Sequence, residues 1–371
     1  MSEIQEILSF YEQCLRQEKR CALATVIRTT GPSYRSPGSR SIVCEDGGFR
    51  GGLSAGCLEG DISCRLDGQK KSFLIEYDLT AEDDVRGFPF GCGGTVEILV
   101  EPLPSAQAMH AVEWFASLDQ PAVLLTAISS DGSTDIGARY GMNASCDSTY
   151  HGKLKLPGME ALTLSVLSER KSRVAELESN GKSIKVFAEF YEPPISMYVF
   201  GDAEDARILE ACASSHGFSV TRVSRNQVRS GESLAKMFPR LGHAYSVVMA
   251  HDLHVDSDIV HQLLQVNPPY LGIMGPRRRT ERIFNSFERK WHAAIHRGNI
   301  FAPVGLDMGA ETPREIALSI LAEIQTVARN RVAKHLRDVD GAIHDRSLES
   351  RSVDERSLQR NAFLAGMISL G

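Results

Sequence analysis

Ile4, Ile7, Leu8, Tyr11 and Leu15 recur at helical spacing, so residues 3–19 are expected to form an amphipathic helix. The apolar run over 21–30 (Cys-Ala-Leu-Ala-Thr-Val-Ile-Arg-Thr-Thr) reads as a strand, broken by Gly31-Pro32-Ser33, with a second turn at Ser36-Pro37-Gly38. A strand over 40–44, a turn at Asp46-Gly47-Gly48, a short helix over 55–66 and a strand over 73–78 follow. The polar segment 79–93 reads as a loop, and the pattern then gives a strand over 95–100, a helix over 105–117 and a strand over 122–128. Segment 129–160, rich in Ser, Gly and Asp, is expected to hold hairpins or loops, and a strand over 183–191 closes the first domain. Glu192-Pro193-Pro194 is the linker.

Beyond the linker, strands at 196–200, 218–223, 245–250 and 270–274 alternate with helices at 203–215, 256–266 and 277–289, the rhythm of a parallel sheet with crossover helices. Thr312-Pro313-Arg314-Glu315 joins an N-cap, a proline at the first helical position and a capping-box glutamate, and opens a last helix to about residue 331. The fold class is therefore α/β, with an N-terminal mixed α+β domain (1–192) followed by a Rossmann-like parallel-sheet domain (195–331). Residues 332–371 are dense in mixed charge and are expected to form a mobile tail. No internal repeat is evident.

The 371 residues are 42% hydrophobic and 24% charged, ordinary values for a globular chain, and the net charge of −6 gives no pull toward nucleic acid or anionic lipid. No apolar run reaches membrane-helix length, and the start of the chain lacks a basic signal-peptide region, so a cytoplasmic protein is expected. The 8 cysteines then read as free thiols in a reducing compartment; none forms a C-x-x-C pair.

Two cysteines stand out. Gly51-Gly-Leu-Ser-Ala-Gly-Cys-Leu-Glu-Gly-Asp61 sets Cys57 among glycines, with Glu59 two residues on, and Phe90-Gly-Cys-Gly-Gly-Thr95 flanks Cys92 with Gly93 and Gly94. Glycine admits close backbone approach and positive φ, so these thiols are read as presented to a ligand, against the alternative of two tight turns that carry cysteines. Cys57 and Cys64, seven apart, would share a helix face.

In the second domain, Gly201-Asp-Ala-Glu-Asp-Ala206 stands where a dinucleotide fingerprint would stand. Ala203 replaces the glycine that meets the pyrophosphate, and Asp202, Glu204 and Asp205 repel an anion, which disfavours NAD(P). His251 and Asp252 follow a strand at the sheet's carboxyl edge, with the start of a helix capped by Asp256 as the alternative to ligand binding. Gly275, with Arg277 to Arg279, offers either a phosphate-receiving helix start or a solvated basic turn.

Gly31-Pro-Ser-Tyr-Arg-Ser-Pro-Gly38, Gly51-Gly-Leu-Ser-Ala-Gly-Cys-Leu-Glu59, Cys92-Gly-Gly-Thr-Val-Glu97, His251-Asp252, Tyr270-Leu-Gly-Ile-Met-Gly-Pro-Arg-Arg-Arg279 and Ala302-Pro-Val-Gly-Leu-Asp307 together resemble the XdhC/CoxI family, accessory factors of xanthine dehydrogenase and related molybdenum hydroxylases. The resemblance implies a maturation factor rather than a turnover enzyme. It would bind the molybdenum cofactor, as molybdopterin or its cytosine dinucleotide, support its sulfuration and deliver it to a xanthine dehydrogenase-like hydroxylase. The implied partners are that hydroxylase, a cysteine desulfurase and a second copy of the chain, with no nucleic acid or membrane. Cys57, Cys92 and Glu59 are then the reacting groups, the two thiols being possible molybdenum ligands, with Arg35, Gly51, Gly52, Gly56, Gly93, Gly94, Gly201, His251, Asp252, Gly275, Arg277 and Arg278 lining the cofactor. The chain departs from the family at Gly201–Ala206, at Ser224 and at Pro276, and in the shifted Pro–Arg pairing of Pro32-Ser33-Tyr34-Arg35. Competing readings are a persulfide-type sulfur-transfer enzyme centred on Cys57 or Cys92, and an NAD(P)-dependent oxidoreductase.

Overall fold

The computed structural model describes residues 2–31, 33–79, 94–130, 132, 134–146, 149–179, 181–229, 233–287 and 298–339. The chain divides into two compact units, Ser2–Pro193 and the residues from Pro194 onward.

The first unit opens with α1 (Glu3–Arg16), started by a Ser2–Gln5 capping box and ended three residues earlier than its apolar stripe suggests, where Glu18 turns to positive φ. Strands β1 (Cys21–Thr30), β2 (Arg40–Cys44) and β3 (Phe49–Gly51), helix α2 (Cys57–Arg65), and strands β4 (Phe73–Asp78) and β5 (Thr95–Pro102) follow. They form an antiparallel sheet in the order β3-β2-β1-β5-β4. Then α3 (Ala106–Ser117), β6 (Ala122–Ala127), β7 (Arg139–Asn143), β8 (Thr149–Tyr150), α4 (Met159–Glu169), β9 (Arg173–Ser179) and β10 (Lys182–Tyr191) build a second antiparallel sheet, β8-β7-β6-β10-β9. Helix α4 and strand β9 are not foreseen from sequence, and segment 129–160 holds β7 and β8.

The two sheets have one topology, so the unit contains a repeat that the sequence conceals. Cys21 pairs with Cys44 across β1 and β2, as Ala122 pairs with Asn143 across β6 and β7. Leu23 faces Glu101 as Leu124 faces Glu189. Leu23, Thr25 and Ile27 recur as Leu124, Thr126 and Ile128, alternate positions whose side chains line the space between the sheets.

Charge crosses that space reciprocally. Arg40 of β2 donates from Nη2 to both carboxylate oxygens of Glu189 in β10, at 2.6 Å each. Its counterpart, Arg139 of β7, pairs with Glu101 in β5. All four side chains are buried. Gly38 and Gly137, both at positive φ, pass so close that an added Cβ would lie 3.0 Å from Glu189 Oε1 and 2.9 Å from Glu101 Oε1, respectively.

The second unit is the Rossmann-like domain. Strands β11 (Ser196–Phe200), β12 (Ser219–Val223), β13 (Tyr245–Val248), β14 (Tyr270–Ile273) and β15 (Ile300–Phe301) form a parallel sheet ordered β12-β11-β13-β14-β15. Its helices are α5 (Glu204–Ser215), α6 (Arg225–Arg229), α7 (Leu234–Met237), α8 (Leu253–Val266), α9 (Arg277–Asn285) and α10 (Pro313–Ala328). One apolar cluster joins the sheet to α8 and α9, and another joins it to α5 and α10, as a parallel sheet covered on both faces requires. The expected α/β class, with a mixed first half and a Rossmann-like second half, is thus observed. Residues after 339 lie outside the described set; among the described residues no helix is long and apolar enough to cross a membrane.

Candidate functional site

The loop between β3 and α2 is built by glycine where nothing else fits. Gly51 has φ +99°, and a Cβ there would stand 2.3 Å from the carbonyl oxygen of Arg40. Gly56, at φ +111°, is the N-cap of α2, so the helix begins at Cys57 with its thiol exposed. Among the described residues, a Cβ on Gly52 would meet nothing within 4 Å, and one on Gly56 only the Phe49 ring at 3.9 Å. The thiol therefore stands beside an open glycine floor, with the exposed aromatic Phe49 at its edge.

Glu59 turns inward and is 1% exposed. Its Oε1 accepts from the N–H groups of Leu53 (2.8 Å) and Ser54 (3.1 Å), and its Oε2 accepts from the Ser54 hydroxyl (2.5 Å). Ser54 Oγ in turn accepts from the N–H groups of Gly56 and Leu58, both at 3.1 Å. Glu59 thus latches the loop that presents Cys57; no hydrogen bond joins it to the thiol. Burial pushes its carboxyl up, but the bonds from Ser54 and Leu53 outweigh burial and hold its pKa below the ordinary value. A carboxylate depressed in the fold contributes stability above its unfolded pKa of about 4.3, lost as pH falls through the lower folded value. Exchange protection of the Leu53 and Ser54 amides, corrected for intrinsic rates, is therefore expected to drop on acidification below that range. Glu59→Gln should remove the pH dependence; protection that is equally pH-dependent in the variant would contradict the latch.

Arg35 lies beside the same loop with its guanidinium engaged: Nε donates to the Gly52 carbonyl at 3.1 Å, and the head pairs with Glu3 of α1. Cys57 and Cys64 are both exposed on α2, about two turns or 10 Å apart along it, so they do not converge. Cys92 and Gly93 lie outside the described residues, and Gly94 accepts from Leu79 N–H (2.8 Å) where β4 and β5 meet.

The repeat shows what is special to the first half. Gly158, at φ +82°, is the N-cap of α4 as Gly56 is of α2, but Met159 and Ala161 stand where Cys57 and Glu59 stand. The sequence between β9 and β10 is the two-residue Asn180-Gly181, whereas residues 79–94, which include Cys92, join β4 to β5. Both candidate thiols belong to one half only.

In the second unit, Gly201 closes β11 against its neighbour: a Cβ would lie 2.6 Å from the carbonyl oxygen of Met249, which explains this glycine without a pyrophosphate. The sheet order reverses between β11 and β13, the position where open α/β sheets bind ligands. There Asp202 pairs with Arg225 (2.8 Å), and Asp205 Oδ2 lies 2.7 Å from Nε2 of His251, whose φ is +59°. Asp252, rather than Asp256, caps α8 by accepting from the His254 and Val255 N–H groups. Asp256 is buried and accepts from Ala250 N–H (3.0 Å) and Arg279 (2.6 Å), fixing the loop that carries His251. Gly275 has φ +130° and sets the start of α9, whose first turn holds Arg277 and Arg278. Asp202 and Asp205 are thus partnered, a pairing that sequence spacing does not reveal.

Residues 14–68 match the family model described as the XdhC and CoxI family, and residues 197–324 match the XdhC Rossmann domain. A Bacillus subtilis protein named as a probable xanthine dehydrogenase subunit is 26% identical over 339 residues, covering 86% of this chain and 96% of that protein. The molybdenum cofactor insertion chaperone PaoD of Escherichia coli is 23% identical over 336 residues, covering 86% and 87%. A crystal structure described as a xanthine dehydrogenase from Bacillus halodurans superposes with a TM-score of 0.65 at 25% identity, over 90% of this chain and 97% of that one.

Proposed function

We propose that this chain, which belongs to the XdhC and CoxI family, is a maturation factor that carries the molybdenum cofactor. It binds the cofactor as cargo, holds it while a sulfido ligand is installed, and hands it to a xanthine dehydrogenase-like molybdenum hydroxylase. The observation that carries this reading is the presentation of Cys57: an exposed thiol at a helix start, on a loop whose open glycines leave room for a ligand and whose shape is held by buried Glu59. The near full-length likeness to a relative named as a cofactor insertion chaperone supports the same role.

The residues fit such a cargo. A soft thiolate suits molybdenum or a persulfide sulfur, and a glycine floor admits a flat ring system. Cys57, with Cys92, would hold the metal end; the Gly52 and Gly56 backbone and Phe49 would face the pterin. A cysteine desulfurase supplies the sulfur, the protein works as a cytoplasmic homodimer, and the bound form is molybdopterin or its cytosine dinucleotide. Asp202, Glu204 and Asp205 weigh against a nicotinamide oxidoreductase, since they crowd the helix start where a pyrophosphate would sit. Exposure of Cys57 also favours a second reading, a sulfur-transfer role, which an added sulfur atom on Cys57 in the mass spectrum would support.

The test is cofactor content. Protein expressed in a cofactor-competent host and purified without oxygen is expected to carry matched molybdenum and pterin in near-stoichiometric amounts. Finding neither, with saturating cofactor supplied, would refute the carrier role.

A further inference from the structure

We propose that Cys14, Cys21 and Cys44 form a buried three-sulfur site for one monovalent copper ion, separate from the Cys57 loop. Cys14 lies in the last turn of α1, Cys21 is the first residue of β1, and Cys44 the last of β2. Cys21 and Cys44 are cross-strand partners, and Cys14 closes over them, its Sγ 3.3 Å from that of Cys44. All three sulfurs lie within 4.8 Å of one another. Three sulfurs each about 2.3 Å from a shared metal in a trigonal plane stand about 4 Å apart, so shifts of a fraction of an ångström complete the geometry.

Packing alone does not call for these thiols. In the second half the corresponding positions are Phe115, seven residues before β6 as Cys14 is seven before β1, and the cross-strand pair Ala122 and Asn143. There an aromatic ring fills the corner, with Phe115 and Ala122 in one apolar cluster. The same architecture thus closes without sulfur, and the first half has gathered three thiols where one large side chain suffices.

The donor set selects the metal. Soft thiolates favour monovalent copper and zinc. Structural zinc takes four ligands, and among the described residues no fourth cysteine, histidine or carboxylate joins the three. Ile7, Leu23, Ile42 and Met109 surround the cluster, and the cysteines are 2%, 5% and 0% exposed, which leaves no room for solvent as the missing ligand. Three-coordinate monovalent copper needs none. Each coordinated thiol gives its proton to solvent, and the Lys19–Asp46 pair (2.7 Å) lies beside Cys44, two residues from Asp46.

The full-length chain, reduced and desalted without oxygen, is to be titrated with monovalent copper against a chromophoric copper chelator. One equivalent is expected to be retained, with a near-ultraviolet sulfur-to-copper band. Cys14→Ser and Cys44→Ala should lose both, while a chain with Cys57, Cys64, Cys92, Cys146 and Cys212 all changed to serine should keep both. Loss in that five-site variant, or retention in the two triad variants, would overturn the assignment, as would preferential retention of zinc. X-ray absorption on copper-loaded wild-type protein decides the matter even if a triad variant fails to fold. Three sulfur neighbours and no nitrogen or oxygen are expected; any other shell rejects the site.

Discussion

Arg40→Met is expected to destabilise the first unit by about 3–5 kcal/mol, the usual result of stranding one charge of a buried pair. The guanidinium is 6% exposed and the Glu189 carboxylate 5%, so neither recovers water when its partner leaves. Arg40 also lies over the Phe115 ring, 5.0 Å from its centroid, and its Nε has no hydrogen-bond partner among the described residues, so the ion pair supplies most of what holds it. A loss of that size is a large share of the roughly 5–15 kcal/mol that keeps a domain folded. Since desolvation and attraction nearly cancel in such pairs, Arg40→Met/Glu189→Met should recover most of the stability. Urea unfolding, with hydrogen exchange read in β2 and β10, supplies the double-mutant cycle. A double variant as unstable as the single one would mean that the pair is not the cause. Arg139 and Glu101 should behave alike, because they occupy the same positions in the other half and join the sheets in the opposite sense.

Neither pair is legible in sequence, for a reason that also hides the repeat. Arg40 and Glu189 stand 149 positions apart in different sheets, and only the packing of one sheet on the other brings β2 of one half against β10 of the other. The halves keep the Leu, Thr and Ile that line the space between the sheets but differ in connection length, so no fixed period runs through them. Strands β1, β2 and β4 fall where the apolar runs place them, because turn residues punctuate each run. Helix α4 is hidden because Leu162, Leu164, Val166 and Leu167 run around it rather than along one stripe. In the second unit, short buried runs and a capping box announce the parallel sheet and α10. At the site, glycine spacing points to Cys57. It does not show that Glu59 turns away from the thiol to hold Leu53 and Ser54, nor that Phe49 borders Gly56; those follow from three-dimensional packing.

Cys57→Met is expected to leave the fold intact and to abolish activation of the client hydroxylase. The first half of that expectation rests on the repeat. Met159 already occupies the corresponding position after the αL glycine of α4, so methionine is compatible with this helix start. The thiol is exposed, and its removal opens no cavity. The second half rests on chemistry, since a thioether cannot become a thiolate or carry a persulfide. Bound molybdenum should fall by at least about 10–100-fold, the loss that even supporting residues around a metal ligand set produce. Glu59→Gln should fall between the variant and the wild type, since it loosens the loop and keeps the thiol. Met159→Cys added to Cys57→Met should not restore function, because Ala161 supplies no carboxylate to shape the loop around the new thiol. Client activation at the wild-type level in Cys57→Met would remove the thiol from the mechanism. Restoration by Met159→Cys would instead show that exposure at a helix start suffices, and that the Glu59 latch serves the fold alone.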